Sequence, residues 1–268
     1  MIGEYFGAFT QATLRHIITA SLFVAIALLL NKFGKVYWMR DAKWLALSAI
    51  TSAIIPATWF YGVLYSGVSM STALLYLGIV LGMFFFGWVF SREKYTRDKQ
   101  LATALGVIGL LLVFAPTFGG IGNWLGLAAS FVAGVGTSLN LSASKKMPYN
   151  PFQTAAIVWT LGVFANLPFI FIFNESLNVF HADIAWMWLA AFALTSVLAS
   201  GLVIWGLKLV EAGLAGILGL LEIVFGVLFG IIVFHETPGT LAILGTVVIA
   251  LAALVPYLKY FTWQKRSR

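Results

Sequence analysis

Apolar residues along the chain gather into nine runs, at about 12–30, 43–65, 70–90, 100–115, 121–144, 152–173, 184–207, 212–234 and 239–258, with short polar connections between them. Most approach the roughly 20 residues that an α-helix needs to cross hydrocarbon. None has the alternating pattern, over about ten residues, of an outer-membrane barrel strand. The pattern predicts an all-α polytopic membrane protein with about nine transmembrane helices. Two stretches, Leu64–Phe114 and Leu207–Val255, repeat one arrangement: an apolar run, a turn with a Glu, and a second apolar run. Gly87 and Gly230 stand six residues ahead of Glu93 and Glu236, and Gly106 and Gly245 open the runs that follow.

Composition agrees, with 61% hydrophobic and 9% charged residues, against about 25% charged in soluble chains. The net charge of +7 is explained by where the charges sit. Lys32, Lys35, Arg40 and Lys43 share one connection, and Arg92, Lys94, Arg97 and Lys99 the next but one. Lys145 and Lys146, then Lys208, then Lys259, Lys265, Arg266 and Arg268 continue the alternation. The intervening connections hold Glu175, Asp183, Glu236, His181 and His235, with no Lys or Arg. Fifteen of the sixteen basic residues thus fall on one side, and only Arg15 on the other. By the positive-inside rule the C-terminus is cytoplasmic and the N-terminus outside. Short basic loops of this kind face phospholipid headgroups, and no nucleic-acid partner is expected. The N-terminus has neither a basic n-region nor a cleavage site, so no removable signal peptide is expected.

With this topology the Glu93 turn is cytoplasmic and the Glu236 turn external, so the two similar stretches cross in opposite senses. That is an inverted repeat, in which the halves of a secondary transporter enclose a site near the midplane. The first repeat spans 1–116 (helices 1–4) and the second 117–268 (helices 5–9). Runs 12–30 and 43–65 pair with 152–173 and 184–207, and 121–144 has no partner.

The doubled helix, Glu turn and Gly-started helix resembles the drug/metabolite transporter superfamily, and within it the EamA-like permeases. LLEIVFGVLFGIIVFHE, from Leu220 to Glu236, is similar to the family's penultimate helix, and Leu14–Arg15 to the start of its second. The resemblance implies a ten-helix, five-plus-five plan, here lacking the first helix: a nine-helix variant or a chain whose start lies upstream. It also implies alternating access in a bacterial inner (plasma) membrane and a small-molecule substrate, an amino acid or related metabolite, usually exported.

Glu222 is the one acidic residue deep in a run. A charged group there costs about 3 kcal/mol or more to insert, so it is expected to face a cavity or a partner. It is the candidate for proton coupling and for substrate or cation binding; the alternative is a protonated Glu that only positions a neighbouring helix. Trp59, Tyr76, Asn140, Trp159 and Trp205 are further candidates for lining a substrate site, with ordinary packing as the alternative. Tyr65 and Trp88 fit interfacial belts. Arg15 is expected to snorkel to the headgroups, the alternative being a pairing with an acidic substrate or with Glu222. With no Lys or Arg deep in a run, the cavity favours uncharged or zwitterionic solutes over polyanions. Gly78 and Gly82, Gly226 and Gly230, and Gly213, Gly216 and Gly219 predict close helix approaches. Pro56 predicts a kink.

Enzymatic readings find no inventory. Gly239 stands where the second His of an HExxH zinc site would follow His235–Glu236, Ser200 has no evident base, and there is no P-loop. No cysteine is present, so no thiolate metal site is expected, and neither is a cofactor. A polytopic enzyme, half of a heterodimer and a non-transporting partner are the rival readings, and a homodimer is open.

Overall fold

The computed structural model describes residues 6–119, 123–175 and 183–257. Among the described residues nine helical spans are long and apolar enough to cross a membrane, matching the nine runs, and there is no strand. The helices are α1 (Ala8–Leu29), α2 (Ala42–Ser66), α3 (Val68–Ser91), α4 (Arg97–Phe114), α5 (Trp124–Lys146), α6 (Pro151–Ile172), α7 (Asp183–Leu207), α8 (Ala212–Gly219), α9 (Leu221–Phe234) and α10 (Thr240–Leu254). His181 and the C-terminal Lys259, Lys265, Arg266 and Arg268 lie outside the described residues. The run at 212–234 is one span broken into α8 and α9. At the break the Leu220 amide donates to the Ile217 carbonyl at 3.1 Å and the Ile223 amide to the Leu220 carbonyl at 3.0 Å, the tighter three-residue bonds of a 3₁₀ turn.

The chain forms two compact units, Met1–Phe60 with Leu139–Leu209, and Tyr61–Ser138 with Val210–Arg268. Each draws helices from both proposed repeats.

In the first unit α1 and α6 pack antiparallel. Phe9 stacks on Phe169 and Phe173, with ring centres 5.0 and 5.2 Å away. Further along, His16 covers Gly162, and Phe23 packs with Ala155 and Ala156. At one end of the pair Glu175 accepts from the amides of Phe9 (3.0 Å) and Thr10 (2.7 Å). It thereby supplies partners for two of the amides that a helix start leaves open. At the other end the Asn150 side chain donates to the Lys32 carbonyl, and that of Gln153 to the Gly34 carbonyl at 2.7 Å.

In the second unit α4 and α10 pack antiparallel, Gly106 nearing Leu220 and Ala252, and Gly109 meeting Gly245 and Ile249. A Cβ on Gly245 would lie 2.6 Å from the Gly109 carbonyl oxygen, so both positions need glycine. Gly213 and Gly216 bring α8 against Phe84 and Met83 of α3, and Gly78 and Gly82 bring α3 onto Gly134 and Ser138 of α5. Glu93 caps α8, accepting from the amides of Ala212 (2.8 Å) and Gly213 (3.2 Å). Gly219 and Gly226 depart from expectation: neither has an atom within 4 Å of an added Cβ.

Helix exits repeat across the sequence. Asn31, Arg92, Asn174 and His235 are the described non-glycine residues with positive φ, and they end α1, α3, α6 and α9. The same chain separation joins Asn31 to Asn174 and Arg92 to His235. After the first pair, the next amide reaches back five residues, from Lys32 to Ala27 and from Glu175 to Ile170. After the second pair it reaches back six, from Glu93 to Gly87 and from Glu236 to Gly230. In that second pair the carboxylate also folds back over the glycine. The six-residue Gly-to-Glu spacing is the sequence trace of this left-handed cap.

Candidate functional site

In the first unit, Gln11 and Arg15 lie one helical turn apart on a single face of α1. Arg15 does not snorkel as expected. Its guanidinium carbon is 4.5 Å from the ring centre of Phe192 on α7 and 5.6 Å from that of Trp159 on α6. The Nε atom is buried without a hydrogen-bond partner. Each ring contact is worth about 0.5–2 kcal/mol, whereas taking a charge out of water costs several kcal/mol. The rings therefore offset only part of the burial. Beside Arg15 opens a cavity of about 170 Å³, bounded by Gln11, Ile55, Pro56, Trp59, Phe60 and Phe192.

Two amides hold the helices around this cavity. Pro56 has no N–H, which frees the carbonyl of Ser52 one turn back, and Asn166 of α6 donates to that oxygen at 2.9 Å. Asn140 of α5 points its NH₂ at α2, 2.9 Å from Thr51 Oγ1, 3.1 Å from the Ser48 carbonyl and 3.2 Å from Ser52 Oγ. That arrangement engages it in helix packing. Trp159 donates through Nε1 to Ser200 Oγ at 3.1 Å and stacks at a tilt on His16. Trp205, 57% exposed, joins none of these groups.

In the second unit Glu222 lies in the first turn of α9, immediately past the break. The start of a half-helix presents the positive end of its dipole, and discontinuous helices of this kind form the sites of many carriers. Tyr76 of α3 interacts electrostatically with the Glu222 carboxyl group, and the Tyr76 ring packs against the cluster of Val80, Leu220 and Ile223. Glu222 itself is exposed, which leaves it accessible beyond this one partner. Two residues singled out separately in the sequence thus meet.

Reading the sequence alone missed Gln11, Phe60 and Phe192, and preferred headgroup snorkelling to an inward-facing role for Arg15. A polar residue four positions from a charged one, on the same face of an apolar helix, was the available signal.

Many apolar helices, one broken beside a carboxylate and another carrying a guanidinium turned among aromatic rings, define a polytopic membrane protein of transporter type. Residues 120–258 match the EamA-like transporter family, and the chain belongs to that family, within the drug/metabolite transporter superfamily. A solved structure titled "Crystal structure of protein" superposes with a TM-score of 0.78 at 16% identity, over 96% of this chain and 89% of that one. At that identity the likeness shows the fold alone. No curated protein matches the sequence.

Proposed function

We propose that the protein is a secondary carrier that exports a small organic metabolite, an amino acid or related compound, across a bacterial inner membrane by alternating access. The observation that carries this reading is the antiparallel packing of α1 on α6 and of α4 on α10. These are helices that the sequence pairs as equivalents, and α1 and α6 end in the same cap. Antiparallel equivalents are what an inverted repeat of 1–116 and 117–268 produces, with the N-terminus outside and the C-terminus cytoplasmic. Glu222, at a helix break and coupled electrostatically to Tyr76, is the proposed proton-coupling group. Trp59 and Trp159 within the first unit, and separately Tyr76 and Glu222 within the second, are proposed as substrate-facing residues, and Asn140 is assigned to helix packing.

Counterflow of labelled amino acids in proteoliposomes tests the function; preference for organic phosphates over amino acids would sink it. The cysteine-free sequence lends itself to a topology test. A cysteine placed at Glu236 is expected to react with an impermeant maleimide added outside intact cells, and one at Lys94 only after permeabilisation. Labelling of both from outside would reject the inverted arrangement.

A further inference from the structure

We infer that the cavity beside Arg15 is a binding site for the carboxylate of a small, flat, largely apolar organic acid, with Arg15 as its anion partner. The inference deepens the carrier reading and rests on it for any consequence for flux, but the binding itself is measurable without transport.

The first observation is the unpartnered charge. Arg15 Nε is buried with no hydrogen-bond partner among the described residues, and the ion pairs Arg40–Asp41 and Lys99–Glu211 lie elsewhere. Among the described residues Arg15 therefore has no counter-ion, and aromatic faces compensate its charge only partly. A guanidinium presents a planar fork that matches the two oxygens of a carboxylate.

The second observation is the shape and lining of the space in front of it. The volume of about 170 Å³ equals the share of roughly five or six waters at about 30 Å³ each, enough for a carboxylate and a short body. One polar side chain, Gln11, stands beside the charge, and the remaining walls are apolar or aromatic, with Trp59, Phe60 and Phe192 the largest. Flat apolar surfaces converging on one charged group recognise an amphipathic ligand. A single guanidinium balances a monoanion, and no second cation lines the cavity to suit a phosphate dianion.

The test uses the full-length protein in phosphatidylcholine nanodiscs, with labelled benzoate as the probe and benzamide as its neutral isostere. Benzoate is expected to bind and benzamide not to displace it. Arg15→Gln is expected to weaken benzoate binding about thirtyfold or more, as loss of one partner of a buried charge pair does, and Arg15→Lys to retain part of the affinity. Thermal melting of each variant establishes that it is folded; if Arg15→Gln does not fold, Arg15→Lys and Phe192→Leu, each expected to weaken binding, carry the test. A folded Arg15→Gln protein that binds benzoate as the wild type does overturns the proposal. So does a native mass spectrum in which wild type holds an anionic lipid that Arg15→Gln has lost, while benzoate binds neither. Benzoate binding with no counterflow of any solute would sink the carrier reading and leave the site standing. Normal counterflow with no benzoate binding would do the reverse.

Discussion

The crossing of α4 and α10 predicts opposite effects for two identical substitutions. At Gly245→Ala the new Cβ would sit 2.6 Å from the Gly109 carbonyl oxygen, 2.7 Å from the Val113 amide nitrogen and 2.8 Å from Val113 Cγ2. Two of these three atoms are backbone, so no rotamer change relieves the clash and the helices must separate. Overpacking of this kind costs about 1–3 kcal/mol. At Gly226→Ala no atom lies within 4 Å of the new Cβ. There the substitution brings only the helix-propensity gain of about 1 kcal/mol. Both variants share that gain, so it cancels in their difference, which should be about 1–3 kcal/mol with Gly245→Ala the weaker. Unfolding in mixed detergent micelles, followed by tryptophan fluorescence, reads the difference directly. Equal midpoints for the two variants would mean that α4 and α10 do not meet at these glycines.

Three further outcomes follow from single groups. Glu93→Ala removes the acceptor for the Ala212 and Gly213 amides and should cost about 1–3 kcal/mol, read in the same unfolding assay, while Glu93→Asp should recover part of it. Glu222→Gln should remove the pH dependence of uptake in proteoliposomes, and Tyr76→Phe should shift it; an unaltered pH profile in both would end the coupling role. Hydrogen bonding from Arg40, and secondly from Tyr149, holds the Asp41 carboxyl below the usual carboxylate range. Its folded pKa is depressed, so its stabilisation is complete above the unfolded value of about 3.9 and is lost as pH falls through the folded value. Melting curves of Asp41→Asn should therefore lack that acid-side loss.

What the sequence made legible is what the bilayer enforces. Lipid offers the backbone no hydrogen bonds, so each crossing must be an apolar helix of sufficient length, and counting runs counts helices. The Gly-to-Glu spacing was legible too, but that it marks left-handed caps at Arg92 and His235 emerges only from the structure, where the Glu folds back over the Gly. The break at Leu220 was hidden, since no proline marks it and the surrounding glycines read equally well as packing surface. Asn140 was recognisable as a polar group needing partners, but Ser48, Thr51 and Ser52 lie on a distant part of the chain. Arg15 was misread for a related reason. Its distance from the helix start suits snorkelling, and only the tertiary arrangement brings Phe192 and Trp159 around it.

The same physics explains why shared geometry appears at helix ends and hardly at all along helix faces. Within the bilayer, Leu, Ile, Val and Phe are nearly interchangeable toward lipid, so outer helix faces are free to differ in sequence. At the exits the chain must leave the helix, satisfy its last carbonyls and reverse direction, and few residues do so with positive φ. Asn31 and Asn174 meet that demand with one residue type, whereas Arg92 and His235 meet it with two unlike ones. The geometry is thus shared where the residue types are not. Glu175 and Glu93 extend the point, because each follows such an exit and reaches across its own unit to cap another helix. Each residue does two jobs: its amide bonds back onto the helix just ended, and its carboxylate accepts from the first amides of another, which ties two helices at a single residue.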